Sequence, residues 1–420
     1  MYRPTAPAVR EPTAAEAGET LPGLLRRLPD RDLGAAPAVG VLFLIWAVFG
    51  IVNPAFLSAE NLVNLTLQAA PTGMIALGVV IVLLVGQIDL SVGSVSGLAA
   101  AVVAVTTGLH DWPVGIGILL ALAVGVLVGL GYGVCATRFG LPSLVLTLAG
   151  LLVLAGVQLR VLGPQGSINL PFESRLVSFA QQSFLPPLVA WALVAGTVAV
   201  VAATQWARRA RRVRAGLPSA SLTEFLVRVA ALAAVLAATV AYLGTERGIG
   251  YPVVLFVSLV ALVDVALRRT RWGRSVRAVG GDRRSALLAG VAVRRTTMSC
   301  FIACSTLAAL GGVLAAGRLA AANQGTGGAE IYLTAIAAAV IGGTSLFGGR
   351  GSAWSALVGV LVITSISSGL TLLDLDTASR YIVTGLVLAL ALAADIHLRG
   401  GPARPDLDSG IRGGGARPRW

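Results

Sequence analysis

RWGRSVRAVGGDRRSALLAGVAVRR, from Arg271 to Arg295, is the one polar segment of any length between two long apolar runs. Asp282 is placed to accept from the free amides of a helix's first turn, and Gly290 to take the left-handed position that ends it. These signals predict a helix of about two turns, Arg283 to Ala289. It is too short to cross a bilayer, which takes about 20 largely apolar residues, and arginines flank it on both sides. The segment is therefore expected to lie along the cytoplasmic face of a membrane. The plainer alternative is a solvated basic loop that only marks orientation.

Working outward, the composition supports a membrane setting. The chain of 420 residues is 56% hydrophobic and 12% charged, with mean hydropathy +0.84. Apolar runs long enough to span recur along it, and in lipid only helices or closed barrels satisfy the backbone. About twelve candidate spans are predicted; they include a first at 37–52, a third at 91–108, a tenth at 331–347 and a twelfth at 379–397. The third and tenth are short and Gly-rich, as broken or re-entrant helices are. The fold class is thus an all-α polytopic membrane protein with both termini cytoplasmic. Residues 1–36 read as a disordered cytoplasmic tail, 37–398 as the membrane domain and 399–420 as a second disordered tail.

The net charge of +13 is carried by arginine alone, since the chain has no lysine. With an even number of spans, Arg160, Arg175, Arg247, Arg318 and Arg380 fall outside, Arg228 lies one turn into its span, and the other arginines fall on the cytoplasmic side. This is the positive-inside asymmetry. The run RRARRVR, Arg208 to Arg214, abuts an apolar span with no aromatic platform beside it. It reads as an orientation signal with anionic-lipid contact, not as a nucleic-acid patch. Cys135, Cys300 and Cys304 form no ligand cluster, and His110 and His397 are far apart, so neither a metal nor a cofactor is expected.

No phosphate-binding loop of the GxxxxGK[ST] type occurs, so any nucleotide-driven work needs another subunit. Ionisable groups inside a membrane would mark an ion-coupled carrier. Asp89 in GQIDLSVGS, Gly86 to Ser94, sits at a break between apolar runs, where it can cap the next helix. With Ser91 and Ser94 it can instead form a polar break beside a solute pathway. A second glycine-rich break, GGTSLFGGRGS from Gly342 to Ser352, contributes Thr344 and Ser345 and reads as a tight cytoplasmic turn. Asn64 and Gln68 share one helix face near the outer mouth, either touching a hydroxyl-rich solute or bonding to a neighbouring helix. Gly125, Gly129 and Gly133 present a small-residue packing face.

With these residues in hand, the chain resembles the permease subunits of bacterial sugar importers of the ATP-binding cassette type, the ribose, galactose and xylose branch. The stretches that carry the likeness are NPAFLSAENLVNLTLQAAPTGMIALG from Asn53, GQIDLSVGS, RWGRSVRAVGGDRRSALLAGV and AIAAAVIGGTSLFGGRGS from Ala335. The resemblance implies a homodimeric pore in the bacterial inner membrane, without enzymatic activity. It takes a sugar from an extracytoplasmic binding protein and is driven by cytoplasmic ATP-binding cassette subunits. It also implies that 271–295 is the coupling loop, with Asp282, Arg283, Ala286, Leu287 and Gly290 docking on those subunits. The chain departs from the family pattern at Gln87, where Gly is common, and at Asp282, where Asn is common. Xylose-type permeases look most similar, because 185–247 reads as a two-span insert; a pentose such as xylose is the expected solute. A self-sufficient secondary carrier and a cassette permease for branched-chain amino acids are the alternatives.

Overall fold

The computed structural model describes residues 36–219 and 221–376, with a few positions between 378 and 389. The tails, apart from Ala36, lie outside the described residues, as does most of the predicted span 379–397. The helices are α1 (Ala36–Val52), α2 (Ala59–Leu84), α3 (Val92–Ala104), α4 (Val114–Arg138), α5 (Ser143–Leu162), a single turn α6 (Arg175–Val177), α7 (Pro187–Arg214) and α8 (Leu222–Leu243). They continue as α9 (Tyr251–Arg269), α10 (Arg271–Gly281), α11 (Arg283–Leu288), α12 (Val293–Leu319), α13 (Ala329–Ile341) and α14 (Trp354–Leu372). Among the described residues, nine helices are long and apolar enough to cross a membrane, and α1 and α13 are shorter apolar helices.

The architecture is that of an α-helical polytopic membrane protein, with one addition that the all-α expectation lacked. Strands β1 (Ser167–Asn169) and β2 (Ala321–Asn323) pair antiparallel at the end of the molecule opposite α11. With three residues each, they close a loop over the bundle and leave the fold class unchanged.

Helices α2, α3 and α12 form the centre, while α4, α5, α7, α8 and α9 turn most of their apolar surface outward, as lipid-facing helices do. Close backbone approach is built by glycine. A Cβ at Gly125 would stand 2.7 Å from the Ser305 carbonyl oxygen, one at Gly129 2.6 Å from the Ile302 Cα, and one at Gly133 2.6 Å from the Met298 Cγ. The spaced glycines of α4 are thus the face that packs on α12, which replaces the missing hydrophobic drive of lipid with tight van der Waals contact. Indole Nε1 of Trp46 on α1 donates to Ser365 Oγ on α14 at 2.9 Å.

The two spans expected to be short differ: α3 runs on through a π-helical turn over Val105–Leu109 to a continuous 18 residues, long enough to cross, whereas the predicted tenth is only the 13 residues of α13. The chain from Ala320 to Gly328 enters the bundle before α13 begins, and the carbonyl oxygens of Gly327 and Gly328 lie against Gly93 at the start of α3. Irregular backbone at that depth survives because protein supplies its partners. Gln158 on α5 is buried, and its Nε2 donates to the carbonyls of Asn323 at 3.1 Å and Thr326 at 2.8 Å.

Candidate functional site

The segment 271–295 builds two short helices at a corner. Thr270 caps α10 through Oγ1, which accepts from the Gly273 amide at 3.2 Å. A Cβ at Gly273 would lie 2.2 Å from the Leu267 carbonyl oxygen, so glycine permits the tight turn from α9. Val276 and Val279 bury one face of α10, and Trp272 Nε1 donates to Ser299 Oγ on α12 at 2.8 Å.

Asp282 then starts α11 as the sequence indicates. Its carboxylate accepts from the Arg284 amide at 2.9 Å, the Ser285 amide at 3.2 Å and the Ser285 hydroxyl. The Ser285 hydroxyl, followed by those amides, holds the carboxyl below the usual carboxylate range. Gly290 follows at φ +77°, left-handed, with open space around it.

The faces of α11 are set by what lies beneath. Ala286 turns inward and is buried, whereas Arg283 is exposed and Leu287 and Leu288 are 63% and 83% exposed. Of the named coupling residues, Ala286 therefore seats the helix, and Leu288, absent from the sequence-level set, shares its outer surface with Leu287. At the same end the turn 342–352 presents Phe347, 88% exposed. A bulky apolar residue between glycines in a polar turn was the sequence signal for it.

Both glycine-rich breaks meet this corner. The Gly349 amide donates to the Leu84 carbonyl at 3.0 Å, and Gly280 at the end of α10 is wedged against both: its Cβ would stand 1.8 Å from the Leu84 oxygen and 2.7 Å from the Gly349 nitrogen. Thr344 is buried here, and Ser345 Oγ accepts from the Phe347 amide. Neither lines the cleft described below.

Asp89 lies deeper. It is 1% exposed, and its Oδ1 accepts from the Ser91 amide at 2.8 Å and the Ser91 hydroxyl at 2.7 Å. It therefore closes a turn one step before α3, whose N-cap residue is Ser91, instead of capping the helix itself. Ser91 and Ser94 are buried beside it. The preceding backbone is held by α5, where the Leu90 amide donates to Thr147 Oγ1 at 3.2 Å.

Toward the opposite end, a cleft of about 150 Å³ opens between α2, α3, α12 and the loop before α13. Thr72, Ser96, Asn323 and Thr326 supply its polar groups, and Pro71, Ile75, Leu319 and Ile331 its apolar ones. None of these was singled out in the sequence, because the loop reaches α2 only through tertiary packing. Asn64, Gln68 and Thr72 follow one another at four-residue spacing along α2 toward this cleft. Asn64 is engaged, its Oδ1 accepting from Arg247 Nη2 at 2.7 Å, while Gln68 is exposed.

A bundle of apolar helices with inward-reaching breaks, a small cleft at one end and a capped surface helix at the other defines a multi-pass helical permease. The chain belongs to the family described as branched-chain amino acid transport system / permease component, which matches residues 61–392. It is 35% identical over 355 residues to the xylose transport system permease protein of Escherichia coli K12, a match covering 84% of this chain and 88% of that one. Identity to the xylose transport system permease protein of Haemophilus influenzae is 33%, covering 84% and 93%. The ribose import permease protein of Bacillus subtilis 168 is 30% identical over 356 residues, covering 84% and 90%. No solved structure gives a significant match.

Proposed function

We propose that this chain is the membrane-spanning subunit of an ATP-binding cassette importer that carries a sugar, a pentose such as xylose, into the cytoplasm. The observation that carries the reading is the apolar surface of Leu287, Leu288 and Phe347 at the α11 end, in a chain whose relatives are named for xylose and ribose transport. Exposed leucines on a capped helix outside the lipid mark a protein contact. The contact is with a cytoplasmic ATP-binding subunit, and the opposite face receives an extracytoplasmic sugar-binding protein. The subunit itself is not an enzyme. It works as a homodimer in the bacterial inner membrane, with about twelve spans, cytoplasmic termini and 185–247 as an added hairpin.

The test is uptake of labelled xylose by proteoliposomes that hold this chain, its ATP-binding subunit and the binding protein. Leu287→Glu with Leu288→Glu is expected to abolish uptake and to release the ATP-binding subunit from the purified permease. Wild-type uptake by that variant would remove the docking assignment. The family's description favours a second reading, with a branched-chain amino acid as solute. Uptake of labelled leucine by the same proteoliposomes, competed by unlabelled leucine and not by xylose, would select it. Accumulation by this chain alone under an ion gradient would instead select a secondary carrier.

A further inference from the structure

The cleft between α2, α3, α12 and the loop before α13 is lined, among the described residues, by no charged side chain. Arg318 and Glu330 neighbour the lining residues Leu319 and Ile331 in the chain, and neither belongs to the wall. A volume of about 150 Å³ suits one small solute and not a chain of linked units.

The polar groups of the wall are partly taken up by the fold. Ser96 Oγ donates to the Gly93 carbonyl at 2.7 Å and keeps only its capacity to accept. Asn323 Oδ1 accepts from the Gly325 amide at 2.9 Å and from Thr326 Oγ1 at 3.2 Å, which orients the carboxamide and leaves its NH2 as a pair of donors. Thr326 Oγ1 in turn accepts from the Asn323 amide at 3.0 Å, so it is engaged in both senses. Thr72 differs. Other threonines of the bundle bond back to a carbonyl three or four residues earlier, as Thr66 does to Val63 at 2.9 Å and Thr147 to Ser143 at 2.9 Å. The half-buried Thr72 hydroxyl and the Asn323 NH2 have no partner among the described residues.

A free hydroxyl and free amide donors beside the aliphatic surface of Pro71, Ile75, Leu319 and Ile331 match a small polyol. Its hydroxyls need both senses of hydrogen bond, and its C–H face needs none. A free amino acid does not match. Its ammonium and carboxylate would lose water without meeting an opposite charge in the wall, a cost that neutral groups do not offset. The first turn of α13, where helix amides would draw a carboxylate, carries Glu330.

We propose that this cleft holds an uncharged polyhydroxy solute of monosaccharide size during transit, with the Thr72 hydroxyl and the Asn323 NH2 bonded to its hydroxyls and Ile75 and Leu319 against its C–H face. Thr72 and Asn323 are then the residues that set specificity. The assignment rests on the import reading and adds to it where the solute is held and why an amino acid is refused. The contact is weak, because the wall offers neither a charge nor an aromatic ring, and a passage must release what it takes up.

The test measures binding of xylose to the purified full chain in detergent by saturation-transfer NMR, with uptake by the complete proteoliposomes measured alongside. Xylose is expected to bind the wild type, and leucine not to displace it. Thr72→Val keeps the shape and removes the hydroxyl. It is expected to weaken xylose binding about two- to tenfold, the worth of one neutral hydrogen bond, while Thr72→Ser keeps binding near wild type. Uptake should fall in Thr72→Val while the rate of ATP hydrolysis holds, a split that a misfolded subunit would not give. Xylose uptake by the wild type together with equal binding by Thr72→Val, with no binding at all, or with displacement by leucine would overturn the site and leave the import reading standing. Proteoliposomes that carry leucine and not xylose would overturn the import reading itself.

Discussion

Gly280 and Gly281 end α10 side by side, and the structure predicts opposite outcomes for the same substitution at the two. An alanine at 280 would place its Cβ 1.8 Å from the Leu84 carbonyl oxygen, where ordinary contact begins near 3.4 Å. The junction between α10 and α2 must then open by about 1.6 Å. That opening also pulls at the Leu84 oxygen, which accepts the Gly349 amide at 3.0 Å. Overpacking of this kind costs about 1 to 3 kcal/mol, and a half-buried amide left without its acceptor about 1 to 3 more. Gly280→Ala is therefore expected to destabilise the protein by about 2 to 6 kcal/mol, or to swing α10 away and leave α11 misplaced. At Gly281 a Cβ meets nothing within 4 Å, so Gly281→Ala should stay within about 1 kcal/mol of wild type. Thermal unfolding of each variant in detergent, beside ATP-driven uptake in proteoliposomes, separates the two effects. If Gly280→Ala unfolds and transports like Gly281→Ala, α10 is not seated on α2 and the wedge described here is wrong.

Two further outcomes follow from buried polar groups. Asp89→Ala removes the acceptor of both the Ser91 amide and hydroxyl and should lower stability by about 2 kcal/mol, whereas Asp89→Asn keeps a carbonyl oxygen in place and should stay near wild type; identical melting of the two would mean the turn does not depend on that oxygen. Gln158→Leu strands the Asn323 and Thr326 carbonyls and should free the chain before α13, seen as faster amide exchange confined to 324–328; unchanged exchange there would show that the loop is held by other contacts.

What the sequence made legible was local. Apolar run length located the long helices, because a bilayer fixes the length a span needs. Asp282 and Gly290 marked the ends of α11 because capping and left-handed backbone are decided within a few residues. The spaced glycines of α4 announced a packing face without naming the partner, which the structure identifies as α12. What stayed hidden was set by distant residues. A six-residue helix has too few positions for its period to reveal a buried side, so the inward turn of Ala286 and the outward turn of Leu288 came only from the surface beneath them. Asn64 and Gln68 look alike on α2, yet Arg247, nearly two hundred residues later, engages one and leaves the other exposed.

Helix α2 joins the cleft to the corner that carries the surface helix. Its 26 residues form a rod of about 39 Å that carries Pro71 and Thr72 at the cleft and ends in Leu84 against Gly280. Proline inside a helix removes one backbone hydrogen bond and crowds the preceding turn, so bending concentrates there. In α2 that weak point falls at the wall of the cleft, and the remaining length to Leu84 is buried without interruption. Under the proposed docking, a displacement imposed on α10 through α11 would bear on α2 at Leu84, and the proline at which α2 bends most easily stands in the wall of the cleft.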